Sequence, residues 1–408
     1  MLLTLFSGAL LSAPAPAAEP APVLASDIVA IRIGRAETVT HGSLEHAVVL
    51  VEDGKITAVG EDLPIERGIR IVDKPDWVLT PGLVSCNSGL GIDSQAGREF
   101  TPDQSAKDHL YLGQGAYRQV LEAGVTTLGL RAPGSGIPGS AVAIKPHGST
   151  LSDVVLSSDA YLSIFTGADA SLKKMFRDAW GEVAEYEEKV EKAREKWEKD
   201  QKKKKDDDDK KEGEGGFVPP EADPKVARFL DLREGRIHAL MQIRKAADFL
   251  HLTDLVEEHD FEWAVRVPLR NDIDLFRVAD QVGEAGVTIV LDPDITLQPN
   301  TRRDRNIPAE MARAGARVAL VPPSDSAQGH EDWMKAVAQL VRAGLDVQDA
   351  YAAVTLVPAE VLGLEERIGS IAVGKDANLV FWDGDPLEPT TEVVGVMLEG
   401  HMVHGDLD

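Results

Sequence analysis

Short runs of β-branched and apolar residues, separated by turn signals, occupy both ends of the chain. From Asp27 to Thr80 they read IVAIRI, AVVLVEDGKITAVG and IRIVD, with Asp53-Gly54 between two apolar runs. An Asp-Gly pair flanked in this way is typical of a β-hairpin. A second β-rich block, ANLVFWDGD followed by VVGVMLEGHMVHG, closes the chain. Because neither block has enough strands to bury a face alone, we expect residues 27–80 and 376–404 to form one small β-sandwich.

Apolar strands and helices alternate over residues 81–375. The strands read LVSCN, GVTTLGLR, HALMQI, WAVRV, GVTIVL and RVALV, with helices expected near 106–122 and 273–285. Repeated β-then-α units predict parallel strand pairing. The predicted fold is therefore α/β, a TIM-like (β/α)8 barrel, regular or distorted, inserted into the β-sandwich that both termini form.

The composition changes sharply within residues 181–224, which contain EVAEYEEKVEKAREKWEKDQKKKKDDDDKKEGEGG. The first half has Glu and Lys at spacings that support a helix, and the second half is a low-complexity charge tract. This charged insertion is either an interaction arm or a solvated excursion on the barrel surface. We favour the solvated excursion, because charge runs of this kind stay hydrated.

The N-terminus has the pattern of a signal peptide. Leu2 to Leu11 is a short apolar run, and small residues follow at Ala15 and Ala17 in an A-x-A-like cleavage pattern, although no Lys or Arg precedes the run. We therefore expect residues 1–18 to be removed and the protein to be exported, to the periplasm or beyond the cell. No later stretch reaches the roughly 18 apolar residues of a membrane helix, so no membrane association is expected after cleavage.

Charge and cysteine content exclude some classes of partner and site. The formal charge is −25, from 68 acidic and 43 basic residues, which argues against a nucleic-acid partner because phosphate binding needs clustered Lys and Arg. Cys86 is the single cysteine. Neither an intrachain disulfide nor a thiolate metal cluster can therefore form.

Two stretches of the chain resemble the amidohydrolase superfamily. LTPGLVSCNSGLG, from Leu79 to Gly91, is similar to a first barrel strand that reads P-G-L-hydrophobic-D-x-H-x-H in that family. IGSIAVGKDANLV, from Ile368 to Val380, and DGDPL, from Asp383 to Leu387, resemble its C-terminal elements. The similarity is greatest to the imidazolonepropionase-like branch. It implies hydrolysis of carbon–nitrogen bonds by water bound to zinc or another divalent metal ion.

The resemblance also indicates which positions should hold the metal in such a barrel. On the first strand Asn87 and Gly89 stand where two histidines belong, and Ser85 stands where an aspartate precedes them. Two imidazoles at alternate strand positions would point the same way and bind one ion. Asparagine is a poor zinc ligand and glycine has no ligating side chain.

The later strands depart from the family in the same way. On the fifth strand the expected histidines fall near Gln242 and Arg244, and on the sixth Pro268 replaces histidine. The eighth strand could supply Asp325 as a weak catalytic candidate after a two-residue shift, and otherwise offers Pro323. A guanidinium would repel a metal ion. We therefore expect no metal and no other cofactor.

These departures favour one functional class and leave others open. The favoured interpretation is an amidohydrolase homologue without the metal-binding histidines, non-catalytic or altered, that binds a small molecule or pairs with an active paralogue or another copy of itself. The alternative is an active hydrolase of carbon–nitrogen bonds, in non-peptide or cyclic amides, with an unorthodox site. A purely structural partner subunit is a third possibility. An open polar pocket at the barrel mouth would favour ligand binding, and a filled mouth would favour the structural role.

Overall fold

The computed structural model describes residues 28–92, 98–165, 170–206, 216–271 and 273–407, so the predicted signal peptide lies outside the described residues. Its strands are, in chain order, β1 (Val29–Glu37), β2 (Ser43–Glu45), β3 (Ala47–Glu52), β4 (Lys55–Glu61), β5 (Arg70–Pro81), β6 (Leu83–Ser88), β7 (Arg98–Phe100), β8 (Val125–Leu130), β9 (Ser135–Ile137), β10 (Gly139–Ser140), β11 (Val142–Ile144), β12 (Val155–Ser157), β13 (Leu162–Phe165), β14 (Ala239–Gln242), β15 (Trp263–Val267), β16 (Thr288–Leu291), β17 (Thr296–Leu297), β18 (Asp304–Arg305), β19 (Arg317–Leu320), β20 (Leu379–Trp382), β21 (Val393–Leu398) and β22 (His401–Gly405).

The α-helices lie mainly between the strands of the central region. They are α1 (Gly115–Glu122), α2 (Leu151–Val154), α3 (Ala170–Asp206), α4 (Pro224–Arg233), α5 (Ala246–His259), α6 (Ala279–Glu284), α7 (Ile307–Arg313), α8 (Ala327–Glu331), α9 (Trp333–Arg342), α10 (Val347–Val354) and α11 (Leu356–Val361). Short 3-10 helices at Ala106–His109 and Leu275–Val278 precede α1 and α6. The fold is therefore mixed α/β, as expected.

Strands from the two ends of the chain lie in one eight-stranded sheet. Its order is β22-β21-β20-β5-β1-β3-β4, with β2 paired to β1. β5 joins the two ends, because it pairs in parallel with β1 and antiparallel with β20, where Thr80 lies opposite Val380. Apolar side chains from β1, β3, β4, β5, β20 and β21 pack into one cluster. The arrangement of this unit as a sandwich of two facing sheets stays a prediction.

The Asp53-Gly54 pair forms the turn of the expected hairpin between β3 and β4. Both residues have positive φ, 48° and 78°, the backbone conformation that two-residue hairpin turns require and that glycine adopts without strain. A Cβ atom on Gly54 would lie 2.8 Å from the backbone oxygen of Glu399, in the turn between β21 and β22. The hairpin tip therefore packs directly on the C-terminal strands.

The central strands form two further sheets. One has the order β10-β13-β14-β15-β16-β19, in which β13 to β19 are all parallel, and the other has the order β12-β11-β8-β6, in which β6 and β8 are parallel. The predicted parallel pairing is confirmed for these strands. Among the described strands β19 pairs only with β16 and β6 only with β8, so they do not close into the expected eight-stranded barrel. Helix α11 packs against both β6 and β19.

The two central sheets surround a common apolar core with residues at alternate strand positions. This cluster contains Val84, Cys86, Ala143, Leu240, Ala264, Val290, Ala319 and Val321, packed against α11. Because side chains alternate between the two faces of a strand, the next positions on the same face are Gln242, Arg266, Asp292 and Pro323. These positions lie at the carboxyl ends of parallel strands, where barrel enzymes bind their ligands.

Helix α3 begins at Ala170, well before the start expected for the charged insertion. Phe176, Trp180 and Val183 are buried in the main core, and Trp180 stacks on His259 with ring centroids 4.5 Å apart. The first turns of α3 therefore belong to the globular fold. Composition alone does not indicate this, because the charged sequence that follows dominates the segment. Among the described helices, none combines the length and hydrophobicity needed for a membrane span.

The charged half of α3 contributes little to the core and should be dispensable for folding. Deleting residues 191–216 and joining the ends with a short flexible linker should lower the melting temperature by only about 2–4 °C, the shift expected for a loss of about 1 kcal/mol in a large domain. Trp180→Ala is the matched control, because truncating this buried side chain should cost about 3–5 kcal/mol. Circular dichroism melts compare the three proteins, and a deletion variant that does not fold would contradict the expectation.

Candidate functional site

A cavity of about 400 Å³ opens at the carboxyl ends of the parallel strands. Five of the positions singled out from the sequence line it: Asn87, Gln242, Pro268, Pro323 and Asp325. The other lining residues are Arg131, Gly134, Phe165, Arg266, Asp292, Val321, Pro322 and Ser324. An open cavity with polar groups at this place in the fold is the candidate functional site.

A larger cavity, about 900 Å³, lies on the sheet formed by the chain ends. Its lining includes Lys55 and Arg367, which both pair with Asp376. These charges connect the β3–β4 hairpin to the segment before β20. We place the candidate site in the smaller cavity because side chains from several parallel strands converge there.

A buried ion pair lies at the centre of the candidate site. Arg266, on β15, is 8% exposed and pairs with Asp292, which follows β16. The same guanidinium donates from Nη1 to the backbone oxygens of Val267, at 2.7 Å, and Val290, at 3.3 Å. The second carboxylate oxygen of Asp292 accepts from the backbone nitrogen of Leu269 at 2.7 Å. This pair is internally satisfied and stabilises the ends of two neighbouring strands.

A second ion pair connects β6 and β19, the edge strands of the two central sheets. Asp325, in the loop after β19, accepts from Ser88 Oγ at 2.5 Å, from the backbone nitrogen of Gly89 at 2.6 Å and from Arg131 Nη1 at 3.0 Å. Ser88 and Gly89 stand at the end of β6, and Arg131 follows β8. The described strands β6 and β19 share no backbone pairing. The Asp325 side chain therefore provides a connection between them.

The Arg131 guanidinium lies directly beside Gly89. A Cβ atom on Gly89 would lie 2.8 Å from Arg131 Nη2 and 3.0 Å from Asp325 Oδ2. Real Cβ atoms do not approach other heavy atoms at 2.8 Å without displacing them. The guanidinium thus occupies the space into which a larger residue at position 89 would extend.

The first-strand residue Asn87 is held by the core below the cavity. Its Nδ2 donates to the Tyr161 hydroxyl at 2.9 Å, and that hydroxyl donates to the backbone oxygen of Cys86 at 3.0 Å. Burial raises the pKa of the Tyr161 phenol, which stays protonated at neutral pH. Burial also raises the pKa of the Cys86 thiol to about 12. The buried thiol is therefore not a nucleophile at neutral pH.

Arg244 and Gly89 are two further positions proposed from the sequence. Arg244 is exposed and is absent from the cavity lining; its backbone nitrogen donates to Asp248 Oδ2 at 3.1 Å. Since β14 ends at Gln242, the alternation that predicts an inward side chain no longer applies two residues later. Gly89 lies beside the cavity and reaches it through its bond to Asp325.

Sequence reasoning missed Arg131 and Arg266. Arg266 had a detectable signal, because in WAVRV it follows the small Ala264 at the next position on the same strand face, two residues before Pro268. Arg131 directly follows the strand VTTLGL and so stands at the carboxyl end of β8. An arginine at such a strand end could have been read as a residue of the site.

The chemistry of these side chains does not suit a divalent metal ion. No group of three or more His, Cys, Asp or Glu residues within the described parts of the chain could hold one. Asp292 and Asp325 each already pair with an arginine, and the amides Asn87 and Gln242 are poor zinc ligands. His330 is buried, its Nδ1 donates to the Ser326 backbone oxygen at 2.7 Å, and burial lowers its pKa.

Comparisons with known sequences agree with the resemblance found in the motifs. Residues 237–405 match the family model described as Amidohydrolase family, so this part of the chain contains an amidohydrolase family domain. A segment of 57 residues is 44% identical to Amidohydrolase tasK of Hapsidospora irregularis. That segment covers 14% of this chain and only 6% of the length of that protein.

Solved structures share the fold over nearly the whole chain. An amidohydrolase from Thermotoga maritima MSB8 is 24% identical with a TM-score of 0.73, covering 93% of this chain and all of that one. A prolidase complexed with N-methylphosphonate-L-proline is 15% identical with a TM-score of 0.55, over 93% of this chain and 100% of its own. An adenosine deaminase from Xanthomonas campestris with bound zinc is 15% identical with a TM-score of 0.50, covering 92% and 93% of the two chains. At these identities the likeness establishes the fold alone.

Proposed function

We propose that this protein is a metal-independent homologue of the amidohydrolases, from their imidazolonepropionase-like branch, that binds a small polar molecule. The binding site is the cavity at the carboxyl ends of the parallel strands, in a distorted TIM-like barrel that is open between β6 and β19. The single observation that carries the proposal is the Arg131–Asp325 ion pair at 3.0 Å, which places a guanidinium beside Gly89. A positive charge at this point repels a metal ion.

The ligand count supports the same conclusion. A catalytic zinc ion usually has three protein ligands and an open position for water. Positions 87, 89 and 268 offer an amide, a hydrogen atom and a proline ring. The carboxylates that line the cavity are Asp292 and Asp325, and each already pairs with an arginine. Two engaged carboxylates do not replace three ligands.

The open polar cavity favours ligand binding over a purely structural role. Its volume of about 400 Å³ lies within the range of about 300–1,000 Å³ that small-molecule sites occupy. Amide groups from Asn87 and Gln242 and the partly exposed Arg131–Asp325 pair supply polar contacts. A subunit kept only for its outer surface would need no open cavity of this kind at the strand ends.

An active hydrolase of carbon–nitrogen bonds, with Asp325 as the catalytic group, is the alternative. The observation in its favour is that Asp325 lines the cavity with about a third of its side chain exposed. Export through the peptide at residues 1–18, and association with an active paralogue or a second copy of the chain, belong to the proposal as well. In such an assembly the paralogue would perform the hydrolysis.

Adding zinc should leave the stability of the protein unchanged. A ligand at 100 times its dissociation constant stabilises the folded state by about 2.7 kcal/mol, so binding would be plain in a thermal melt. We expect no rise in melting temperature with zinc or manganese, and no fall with chelator. The same result is expected for Asn87→His with Gly89→His, because the fifth- and sixth-strand ligands would still be missing. A rise with zinc that chelator reverses, accompanied by amide turnover, would overturn the proposal.

A further inference from the structure

We propose that the ligand of the strand-end cavity is a small zwitterion whose opposite charges stand on neighbouring groups, as in a free α-amino acid. The inference rests on the proposed function and names the chemical class of molecule that the same site takes. It follows from the exposure, charge and walls of the cavity.

The two ion pairs of the cavity differ in how much of their charge they present. The side chains of Arg131 and Asp325 are 35% and 36% exposed, whereas those of Arg266 and Asp292 are 10% and 16% exposed. The buried pair is also held by backbone groups on both sides. Arg131 and Asp325 are therefore the charges that an incoming molecule would meet.

A molecule with charge of one sign is poorly matched to this pair. The charged residues that line the cavity are two arginines and two aspartates. An anion attracted to Arg131 would be repelled by Asp325, and a cation attracted to Asp325 would be repelled by Arg131. A zwitterion gains both attractions, with its carboxylate toward Arg131 and its ammonium group toward Asp325.

The spacing of the pair restricts the class further. Arg131 Nη1 and Asp325 Oδ2 are 3.0 Å apart, so the complementary charges must also be adjacent in the ligand. An α-amino acid carries its ammonium and carboxylate groups on one carbon atom and meets this condition. A molecule whose opposite charges stand at the two ends of a long chain does not.

The rest of the cavity suits the apolar part of such a molecule. Phe165, Pro268, Val321, Pro322 and Pro323 supply the smaller, apolar part of a lining that is mainly polar, and the prolines present no backbone N–H group that would need a partner. The volume of about 400 Å³ accommodates an amino acid with a medium or large side chain.

Titration calorimetry with matched probes tests this inference. We would titrate the full chain with L-leucine, L-proline and L-phenylalanine. We would then titrate the N-acetyl and amide derivatives of whichever amino acid binds, which lack the ammonium and the carboxylate charge respectively. We expect at least one amino acid to bind, and each derivative to bind about tenfold more weakly or worse, the loss that corresponds to about 1.4 kcal/mol.

Variants separate this site from non-specific binding. Asp325→Asn should lower the affinity for the amino acid by about tenfold or more. The affinity for its amide derivative, which is a cation, should stay low in this variant. Arg131→Lys should retain partial binding of the amino acid because it keeps the positive charge. Arg317→Gln, which changes an exposed ion pair elsewhere, is the control and should bind as the unmodified protein does. If Asp325→Asn does not fold, the derivative series alone decides.

The outcomes distinguish this inference from the proposed function. If no amino acid binds, or if a singly charged derivative binds as tightly as its parent, the zwitterion assignment is wrong, while a metal-free protein would still support the proposed function. If the protein instead carries a metal ion that binds the probe's carboxylate, and chelator abolishes binding, both fail.

Discussion

Replacing Arg266 with methionine is expected to destabilise the protein by about 3–5 kcal/mol, because it leaves Asp292 buried without its counter-charge. The guanidinium pairs with Asp292 and also satisfies the backbone oxygens of Val267 and Val290. Methionine keeps an unbranched apolar stem but donates no hydrogen bond. The free energy of unfolding, measured by urea denaturation, should fall by this amount with little change in its dependence on urea concentration.

Two further variants identify the cause of this loss. Arg317→Met breaks the exposed pair with Glu360 and should cost less than about 1 kcal/mol. Combining Arg266→Met with Asp292→Leu removes both buried charges and should recover a large part of the stability, as apolar replacement of buried ion pairs commonly does. If Arg266→Met were no more destabilising than Arg317→Met, the pair would not be the buried anchor described above.

Asp325→Ala is expected to cost about 2–3 kcal/mol, because it leaves Ser88 Oγ, the Gly89 N–H and Arg131 without their shared acceptor. The charged part of this cost is reduced by solvent, since Arg131 and Asp325 are each about a third exposed. The larger part comes from losing the connection between β6 and β19. Amide hydrogen exchange should therefore quicken most at these two strands.

Asp73→Ala is the matched control for the Asp325 variant. Asp73 pairs with Arg32 on the surface of the terminal sheet, with both side chains about half exposed, and its loss should cost less than about 1 kcal/mol. Equal effects of Asp73→Ala and Asp325→Ala, with unchanged exchange at β6 and β19, would show that the ion pair at the open edge contributes no special stability.

Part of the candidate site could be predicted from the sequence because strand periodicity is local. The motif around Asn87 and the alternation through Gln242 and Pro268 identify strand ends, and these residues do line the cavity. Asp325 follows from the same reasoning with a small shift. Each of these expectations needs a few consecutive residues and the rule that strand side chains alternate.

The ion pairs could not be predicted because each depends on residues far apart in the chain. Arg131 and Asp325 are separated by 194 positions, and nothing near Arg131 in the sequence indicates which acidic residue it meets. The open edge between β6 and β19 is equally hidden, since periodicity identifies strands but not which backbones are close enough to pair. The early start of α3 was missed because the composition of its charged half dominates the segment.

The metal content of the purified protein tests most directly the proposal that the strand-end site holds no metal ion. Protein purified without chelator and then dialysed should contain well below one equivalent of zinc, manganese, nickel or iron, because Asn87, Gly89 and Pro268 supply none of the three ligands usual for a catalytic zinc. Elemental analysis by plasma mass spectrometry on the unmodified chain gives the number. One equivalent of tightly bound metal, with amide hydrolysis that chelation abolishes, would contradict the proposal and identify the protein as a working metal-dependent hydrolase.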